Sequence, residues 1–366
     1  MPPFLTREEV ALSAAARTEL VQPSAVRRAH AATVPTPPVP CPRGPLSDYV
    51  IGRIREPTSF VAAPALMGDD PLGDDDFALA LYLAYELHYR GFGREAEDLE
   101  WEPELLRFRR GLEQAFVARL VDECGAPHES PLAIADELDV LLRGDGGPSL
   151  SAYMETKGSL TEMREFAVHR SAYQLKEADP HTWAIPRLDG AAKAALVNIQ
   201  SDEYGFGNER AMHQRLFVET MQALGLDAAY GTYVDRLPAT TLATVNLISL
   251  FGLHRRWRGA LVGNLAVYEM TSVVPMGRYS RALQRLGVAE HARAFYDVHV
   301  IADAEHQVVA RRDLAGGLAR REPELVPDIA FGARATLEIE ARFSRSLLDA
   351  WSHGRSSLVQ GLASAA

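Results

Sequence analysis

Two histidines and an aspartate lie close together in the stretch FYDVHVIADAEH, which covers residues 295–306. His299, Asp303 and His306 are related by steps of four and three residues, so on a helix they share one face. A solvent-exposed helix face more often carries lysine, arginine and glutamate than two imidazoles. Two imidazoles and a carboxylate on one face can bind a metal ion if other segments supply further ligands. The spacing therefore predicts part of a metal site.

The remaining ligands must be acids or histidines on apolar helix faces, and four residues are candidates: Glu177, Glu203, His213 and Glu269. Glu269 is the most informative of them, because it is the only charged residue in the long apolar run LVGNLAVYEMTSVV. An ionised glutamate without a partner inside such a helix costs several kcal/mol. Metal coordination is one of the few arrangements that offset this cost.

Glu203 and His213 are separated by ten residues, which leaves them about 80° short of alignment on an ideal helix. Gly205 and Gly207 lie between them. A break in the helix at these glycines would turn both side chains towards the same interior. The sequence therefore predicts a helix break between residues 203 and 213.

Charge balance favours a site for two metal ions. The four candidate carboxylates, Glu177, Glu203, Glu269 and Asp303, carry a formal charge of −4, and two divalent cations would neutralise it. Mixed carboxylate and imidazole ligands projecting from facing helices suit iron or manganese better than zinc. A pair of iron ions with open coordination positions can bind O₂ and oxidise a substrate.

Apolar residues recur at helical spacing along most of the chain, and period-2 alternation is nearly absent, so the predicted fold class is all-α. In the second half of the chain, helices are expected at about 160–178, 189–205, 208–224, 239–256, 258–273, 277–287, 290–316 and 326–353. Earlier helical patterns begin at DFALALYLAYELHYRGF, at PELLRFRRGLEQAFVARLVDEC and at PLAIADELDVLLRG.

Three regions are predicted from composition. Residues 1–65 are rich in proline and alanine and are expected to form a flexible segment, with a short amphipathic helix at TREEVALSAAARTEL. Residues 66–150 form an N-terminal helical region, which ends near the glycine-rich stretch GDGGPSLSAY. Residues 151–366 form the main helical domain, which contains the candidate metal ligands.

The net charge of −11 and the pI near 5.5 argue against a nucleic-acid partner. No apolar run approaches the roughly 18 residues that a membrane span requires, and the N-terminus lacks the apolar stretch of a secretory signal. Cys41 and Cys124 form neither a disulfide framework nor a metal-binding pattern. We therefore expect a cytoplasmic protein that associates with neither nucleic acid nor membrane.

Simpler interpretations remain open for each candidate. The histidines and Asp303 can form a buried hydrogen-bonded cluster, Glu269 can pair with an arginine, and Glu177, at the end of a helix, can be exposed. Glu86 and His88 are expected to make a structural polar contact, and His181 can cap or gate the site. The tyrosines at 173, 268 and 296 flank candidate ligands and can tune the metal site, but core packing is expected for each; the arginines at 170 and 215 can bind a substrate carboxylate.

Three stretches resemble the haem-oxygenase-like di-iron oxidases, a family whose many actinobacterial members are called iron-containing redox enzymes. These stretches are YQLKEADPHTWAIPRLDGAAKAALVNIQSDEYGFG, VYEMTS and FYDVHVIADAEH. The resemblance covers about residues 75–316. It implies a haem-oxygenase-like bundle of about seven core helices with an N-terminal helical extension that supports dimerisation. It also implies that two irons are held by Glu177, Glu203, His213, Glu269, His299, Asp303 and His306.

The function implied by the resemblance is that of an O₂-dependent non-haem di-iron oxidoreductase of specialised, natural-product metabolism. Its cofactors would be two Fe(II)/Fe(III) ions, with O₂ as co-substrate. Its partners would be a small amine, amino acid or related metabolite, an external electron donor and a second copy of the chain. The expected outcome is N-oxygenation, oxidative cleavage or desaturation. The alternative is a non-catalytic or regulatory bundle of the same fold that binds a metal or ligand. In this family the helix equivalent to residues 258–273 is often mobile, so a distorted helix is expected there.

Overall fold

The computed structural model describes residues 36–59, 61–66, 70–144, 148–359 and 361. Within these residues the protein is all-α, and no strand occurs among them. None of the described helices is both long and apolar enough to cross a membrane. The fold class predicted from helical periodicity is confirmed.

The α-helices are α1 Pro45–Arg55, α2 Asp75–Glu86, α3 Pro103–Cys124, α4 Ile134–Leu142, α5 Leu150–Thr156, α6 Leu160–Gln174, α7 Gly190–Glu203, α8 His213–Ala223, α9 Ala239–Leu253, α10 Arg258–Thr271, α11 Val273–Arg285, α12 Ala294–Val308, α13 Gly316–Arg321 and α14 Val326–Ser352. A single helical turn, Asp179–Thr182, follows α6. Each helix expected from the sequence after residue 150 has a counterpart, usually within a few residues at each end.

Helix α1 contradicts the expectation of a flexible segment through residue 65. Pro45 occupies its first turn, and the Asp76 side chain of α2 accepts hydrogen bonds from the amides of Leu46 at 2.9 Å and Ser47 at 2.7 Å. This capping from a distant helix is invisible in the local sequence. The helix expected at residues 6–20 lies outside the described residues, and the three-region division stays a prediction.

The N-terminal helices pack directly on the main bundle. Helix α2 lies against α1 and α9, where the Asn246 side chain donates a buried hydrogen bond of 2.9 Å to the Ala78 carbonyl. Helices α3 and α4 contact the long helix α14. The apolar core therefore continues across residue 150, where the sequence had predicted a boundary.

The closest helix packing joins α10, which carries Glu269, to α14. Gly263 and Gly332 lie at this contact, and a Cβ atom at either position would overlap a backbone carbonyl of the facing helix, that of Ile329 or that of Ala260. Helix α10 is continuous from Arg258 to Thr271. The distortion expected in this helix is therefore absent from the structure.

An irregular helical segment instead follows α12, the helix with three candidate ligands. Residues 309–315 form a π-helix, and the α-helical pattern resumes in α13. The π-helix packs against α7 and α10, which carry Glu203 and Glu269. Short π-helical stretches inside longer helices are rare and occur frequently at functional sites.

Candidate metal centre

All seven predicted ligands lie in one buried cluster between five segments of the bundle. Glu177 follows α6, Glu203 is the last residue of α7, and His213 is the first residue of α8. Glu269 lies near the C-terminal end of α10, and α12 supplies the remaining three. Each of the seven is at most 8% exposed to solvent.

The predicted break between Glu203 and His213 is present. Gly205, Phe206 and Gly207 all have positive φ angles, of 60°, 51° and 82°, which form a left-handed turn after α7. Gly205 also leaves no room for a side chain, because a Cβ atom there would lie 2.6 Å from the Ala211 backbone. The turn brings Nδ1 of His213 to 2.9 Å from Oε2 of Glu203. The two glycines therefore allow the turn between Glu203 and His213 that the sequence predicted.

The ligand atoms fall into two groups that can each hold a metal ion. The first contains Glu177, Glu203, His213 and His299, and the second contains Glu203, Glu269 and His306; within each group the ligand atoms lie within 4.8 Å of one another. Glu203 belongs to both, so its carboxylate lies between the two positions. Asp303 flanks the second group, with Oδ1 at 3.5 Å from Nδ1 of His306 and with Ser272 donating a hydrogen bond to Oδ2.

The cluster contains buried nitrogen and oxygen atoms that bound cations would satisfy. Six of the seven residues have a buried nitrogen or oxygen atom without a hydrogen-bond partner among the described residues: Glu177 Oε2, Glu203 Oε2, both ring nitrogens of His213, Glu269 Oε2, Asp303 Oδ1 and His306 Nδ1. The contact between Glu203 and His213 is short but lacks hydrogen-bond alignment. Buried polar atoms normally have partners, and each exception costs roughly 1–3 kcal/mol. Metal ions between these atoms would satisfy them, so the donor set fits two cations of the iron type.

Two of the imidazoles are oriented by groups outside the seven. His299 donates from Nδ1 to the Phe295 carbonyl at 2.6 Å, which leaves Nε2 facing Glu177 at 3.7 Å. His306 has Nδ1 at 3.4 Å from Oε2 of Glu269, and its Nε2 lies 3.4 Å from Oδ2 of Asp202. A metal-binding histidine usually donates its other ring N–H to a carboxylate or a carbonyl. Both rings follow this pattern.

Asp202 is the buried acid that the sequence analysis missed. It is 5% exposed and precedes Glu203, so the same helix end contributes two carboxylates to the cluster. The local sequence offered a signal in the adjacent acids of SDEYG, but only the fold shows that the first of them faces His306. Its charge makes the earlier count of −4 for the site incomplete.

Burial and mutual repulsion shift the pKa values of the cluster strongly. Desolvation raises the pKa of Glu269 to about 8, although the neighbouring His306 imidazole acts against it. Desolvation, reinforced by Glu203, Asp303 and Glu269, also raises the pKa of Glu177 well above its ordinary value. For His306, desolvation lowers the pKa, but the neighbouring carboxylates of Asp202, Asp303 and Glu269 outweigh it and raise the pKa to about 12. Without cations the cluster therefore retains protons, and metal binding would release them.

A cavity of about 730 Å³ adjoins the cluster, and Glu177, Glu203, Glu269, His299 and Asp303 form part of its wall. The three tyrosines considered from the sequence also line it, together with Tyr279; they are Tyr173, Tyr268 and Tyr296. These tyrosines therefore face a chamber next to the ligands in addition to packing in the core. Tyr296 is completely buried, and its hydroxyl has no hydrogen-bond partner.

An ion pair lies in the wall of the same cavity. Arg170 binds Glu340 through both terminal nitrogens, at 3.0 and 2.7 Å, and the Tyr268 hydroxyl donates to Glu340 at 3.0 Å. Burial raises the pKa of Glu340, but Arg170 outweighs it and holds that pKa below its ordinary value. Arg215, the other arginine considered, is exposed and does not line the cavity.

The geometry excludes two of the simpler interpretations, those for Glu269 and Glu177. Glu269 contacts His306, and no arginine is among its ion-pair partners in the described part of the chain. Glu177 is buried, so the exposed helix end is wrong. His181 lines the cavity with its Nε2 at 2.8 Å from Asn264 Oδ1. Glu86 and His88 make separate polar contacts, to a lysine and to Glu100 respectively.

Comparison with known proteins agrees with this architecture. Residues 164–341 match the haem-oxygenase family model described as an iron-containing redox enzyme, a range that includes all seven predicted ligands. The chain is also similar to a nitrosourea synthase from Streptomyces achromogenes subsp. streptozoticus, with 23% identity over 211 residues, or 57% of this chain. It spans 45% of the length of that relative. Residues 164–341, just under half of the chain, are therefore similar to the iron-containing redox enzymes, and this similarity supports a place in the haem-oxygenase-like di-iron oxidase superfamily.

Proposed function

We propose that the protein is a non-haem di-iron oxygenase or oxidase that uses O₂ to oxidise a small amine, amino acid or related metabolite. The observation that carries the proposal is the pair of ligand groups that share Glu203 and adjoin a cavity large enough for a small molecule. A structural ion cluster would have no need of such a chamber. The similarity of residues 164–341 to the iron-containing redox enzymes supports iron as the metal.

The seven residues would hold two iron ions, whose chemistry when bound is the activation of O₂. The protein contributes the setting for that chemistry. Asp202 and the Phe295 carbonyl fix the rings of His306 and His299, and Ser272 fixes one oxygen of Asp303. Ligands held in this way keep their positions through turnover.

The cavity supplies the substrate site in this proposal. Its volume of about 730 Å³ lies within the usual range for small-molecule sites, roughly 300–1,000 Å³. Tyrosine rings offer faces that attract cations, and the Arg170–Glu340 pair offers both charges to a zwitterion such as an amino acid. Polar and aromatic groups would thus orient an amine or amino acid beside the ligands.

The similarity to a nitrosourea synthase supports a reaction at nitrogen, because a nitrosourea carries an oxidised nitrogen atom. N-oxygenation of an amine is accordingly the first reaction to test, ahead of oxidative cleavage and desaturation. The proposal includes an external electron donor, since repeated oxidation by O₂ needs electrons that this chain does not store. It also includes a homodimer in specialised metabolism.

The test is anaerobic loading with Fe(II) followed by mixing with O₂ in a stopped-flow spectrometer. We expect about two irons per chain and a transient visible absorption, both diminished in Glu269→Ala and His306→Ala. Glu290→Ala and His291→Ala are matched controls, because they remove the same residue types from exposed positions. Amines and amino acids would then be screened for O₂-dependent products.

Two results would contradict the proposal. Absence of iron uptake by the wild-type protein would refute the metal centre. Uptake without any reaction with O₂, in the presence of a broad panel of amines and amino acids and a chemical reductant, would favour the non-catalytic or regulatory bundle.

A further inference from the structure

Lys176, the residue before Glu177, is one of the most deeply buried charged side chains in the described structure. It is 1% exposed, and its Nζ lies 2.8 Å from Oε2 of Glu86, which is also 1% exposed. Removing two charges from water is costly, and an ion pair in the interior needs further hydrogen bonds to offset that cost. Neither residue reaches the metal centre, so the candidate mechanism does not explain them.

The ion pair has the supporting groups that this cost demands. The Tyr230 hydroxyl donates to Glu86, at 2.7 and 2.8 Å from its two oxygens. The ammonium group lies 4.0 Å from the centre of the Tyr89 ring and 5.2 Å from that of Tyr82. A buried network in which each charged group has a hydrogen-bond partner is rigid. The pair therefore fixes the backbone of residue 176 relative to helix α2.

The backbone around Glu177 is held from two sides and is not helical. Arg90 donates to the Leu175 carbonyl at 3.1 Å, and Gln200 of α7 donates to the Ala178 carbonyl at 2.8 Å. Ala178 has a φ of 72°, a left-handed conformation that costs a residue with a side chain roughly 1–2 kcal/mol. Strained backbone persists only where surrounding contacts determine it. The turn between α6 and residue 179 is therefore an imposed conformation.

The turn sends adjacent side chains in different directions. Lys176 reaches the α2 network, whereas Glu177 reaches the group formed with Glu203, His213 and His299. Glu177 extends from this turn and not from a helix, so helical hydrogen bonds do not fix its position. A shift of the lysine would move the carboxylate next to it.

We propose that Lys176 and Glu86 are positioning residues for Glu177, through which the N-terminal helix α2 sets the geometry of one of the two metal positions. The inference rests on the proposed function in one respect, namely that Glu177 is a metal ligand. It assigns to α2 a part in metal binding that is separate from the dimerisation expected of this region.

The test uses Co(II) as the probe, with affinities measured by chelator competition and coordination followed by visible absorption. In the double variant Glu86→Gln/Lys176→Met, which leaves no unpaired charge, the Co(II) site that is lost in Glu177→Ala should weaken about tenfold. The site that is lost in His306→Ala should stay within about twofold of wild type. Its absorption bands should be unchanged.

Glu113→Gln is the matched control. Glu113 is a buried acid of α3 that pairs with Arg109 at 3.0 Å and with His254 at 2.8 Å, away from the ligands. This variant should leave both Co(II) affinities unchanged, even where it lowers the melting temperature. If the double variant does not fold, Tyr230→Phe removes one hydroxyl from the Glu86 network and should weaken the same site by about threefold.

Three outcomes separate the possibilities. Wild-type affinity at both sites in the folded double variant overturns the inference. Equal weakening of both sites, in proportion to lost stability, also overturns it, because that result describes a purely structural ion pair. Absence of Co(II) binding by the wild-type protein, or binding that Glu177→Ala leaves unchanged, would instead contradict the metal centre itself.

Discussion

Replacing Asp202 by asparagine tests whether groups outside the seven predicted ligands tune the centre. The Asp202 carboxylate lies 3.4 Å from Nε2 of His306, and the opposite ring nitrogen faces Glu269 and Asp303 at 3.4 and 3.5 Å. This geometry assigns Nδ1 to the metal and Nε2–H to Asp202. Asparagine has the size of aspartate and keeps one acceptor oxygen, but it lacks the negative charge that strengthens the interaction with Nε2–H of His306.

The magnitude follows from the position of the contact. Loss of a carboxylate partner behind a metal-binding histidine typically costs 10- to 100-fold in affinity, or about 1.4–2.7 kcal/mol. Because asparagine still accepts a hydrogen bond, we expect the lower end, about tenfold. His306 belongs only to the group with Glu203 and Glu269, so only one of the two ions should be affected.

Competition titration with Co(II) measures both affinities in one experiment. Asp297→Asn is the control, because Asp297 is on α12 and accepts a hydrogen bond from Ser280 without contributing to either ligand group. Equal weakening at both sites in Asp202→Asn, or unchanged affinity at the site lost in His306→Ala, would refute the assignment of the ring nitrogens. The expected pattern is the reverse of that for Glu86→Gln/Lys176→Met.

Two further predictions concern stability. Burial lowers the pKa of His169 to about 3 from its ordinary value of 6.5. As the pH drops below 6.5, this histidine is protonated in the unfolded chain but not in the folded one. The free energy of unfolding should therefore fall by about 1.4 kcal/mol per pH unit. His169→Gln should remove that contribution in urea titrations between pH 7 and pH 4.5, and an unchanged slope would contradict it. Gly263→Ala should lower the free energy of unfolding by about 1–3 kcal/mol or more, because the new methyl group would overlap the Ile329 carbonyl. Gly52→Ala is the control, because the space around Gly52 is open. Equal melting temperatures for the two variants would contradict the prediction, since they would show that α10 and α14 move apart without cost.

The parts of the centre that the sequence predicted are those with a local signature. A lone charge in an apolar helix marked Glu269, helical spacing marked the ligands of α12, and two glycines marked the turn after Glu203. Each of these signals depends on periodicity or backbone freedom within a single segment. The all-α class was predictable for the same reason.

The parts that could not be predicted depend on contacts between distant segments. Asp202 and Lys176 each precede a candidate ligand, and nothing in their neighbourhood indicates a partner on another helix. Helix α1 follows a proline-rich stretch, and its N-terminus is capped by Asp76 of another helix. The π-helix after α12 depends on a backbone pattern that side-chain periodicity does not reveal.

The π-helix at residues 309–315 lies between α12 and α13, each of which must turn a particular face inwards. Before it, residues 299, 303 and 306 must face the ligand cluster; after it, Gly316, Gly317 and Leu318 must face the core. One residue corresponds to a rotation of about 100° around a helix axis. A single deletion within 309–315 that restored α-helical bonding would therefore force a choice between the two faces, whereas a substitution at the exposed Arg312 would leave both in place. The length of this stretch is therefore constrained in addition to the identity of its buried residues, Ala310, Leu314 and Ala315.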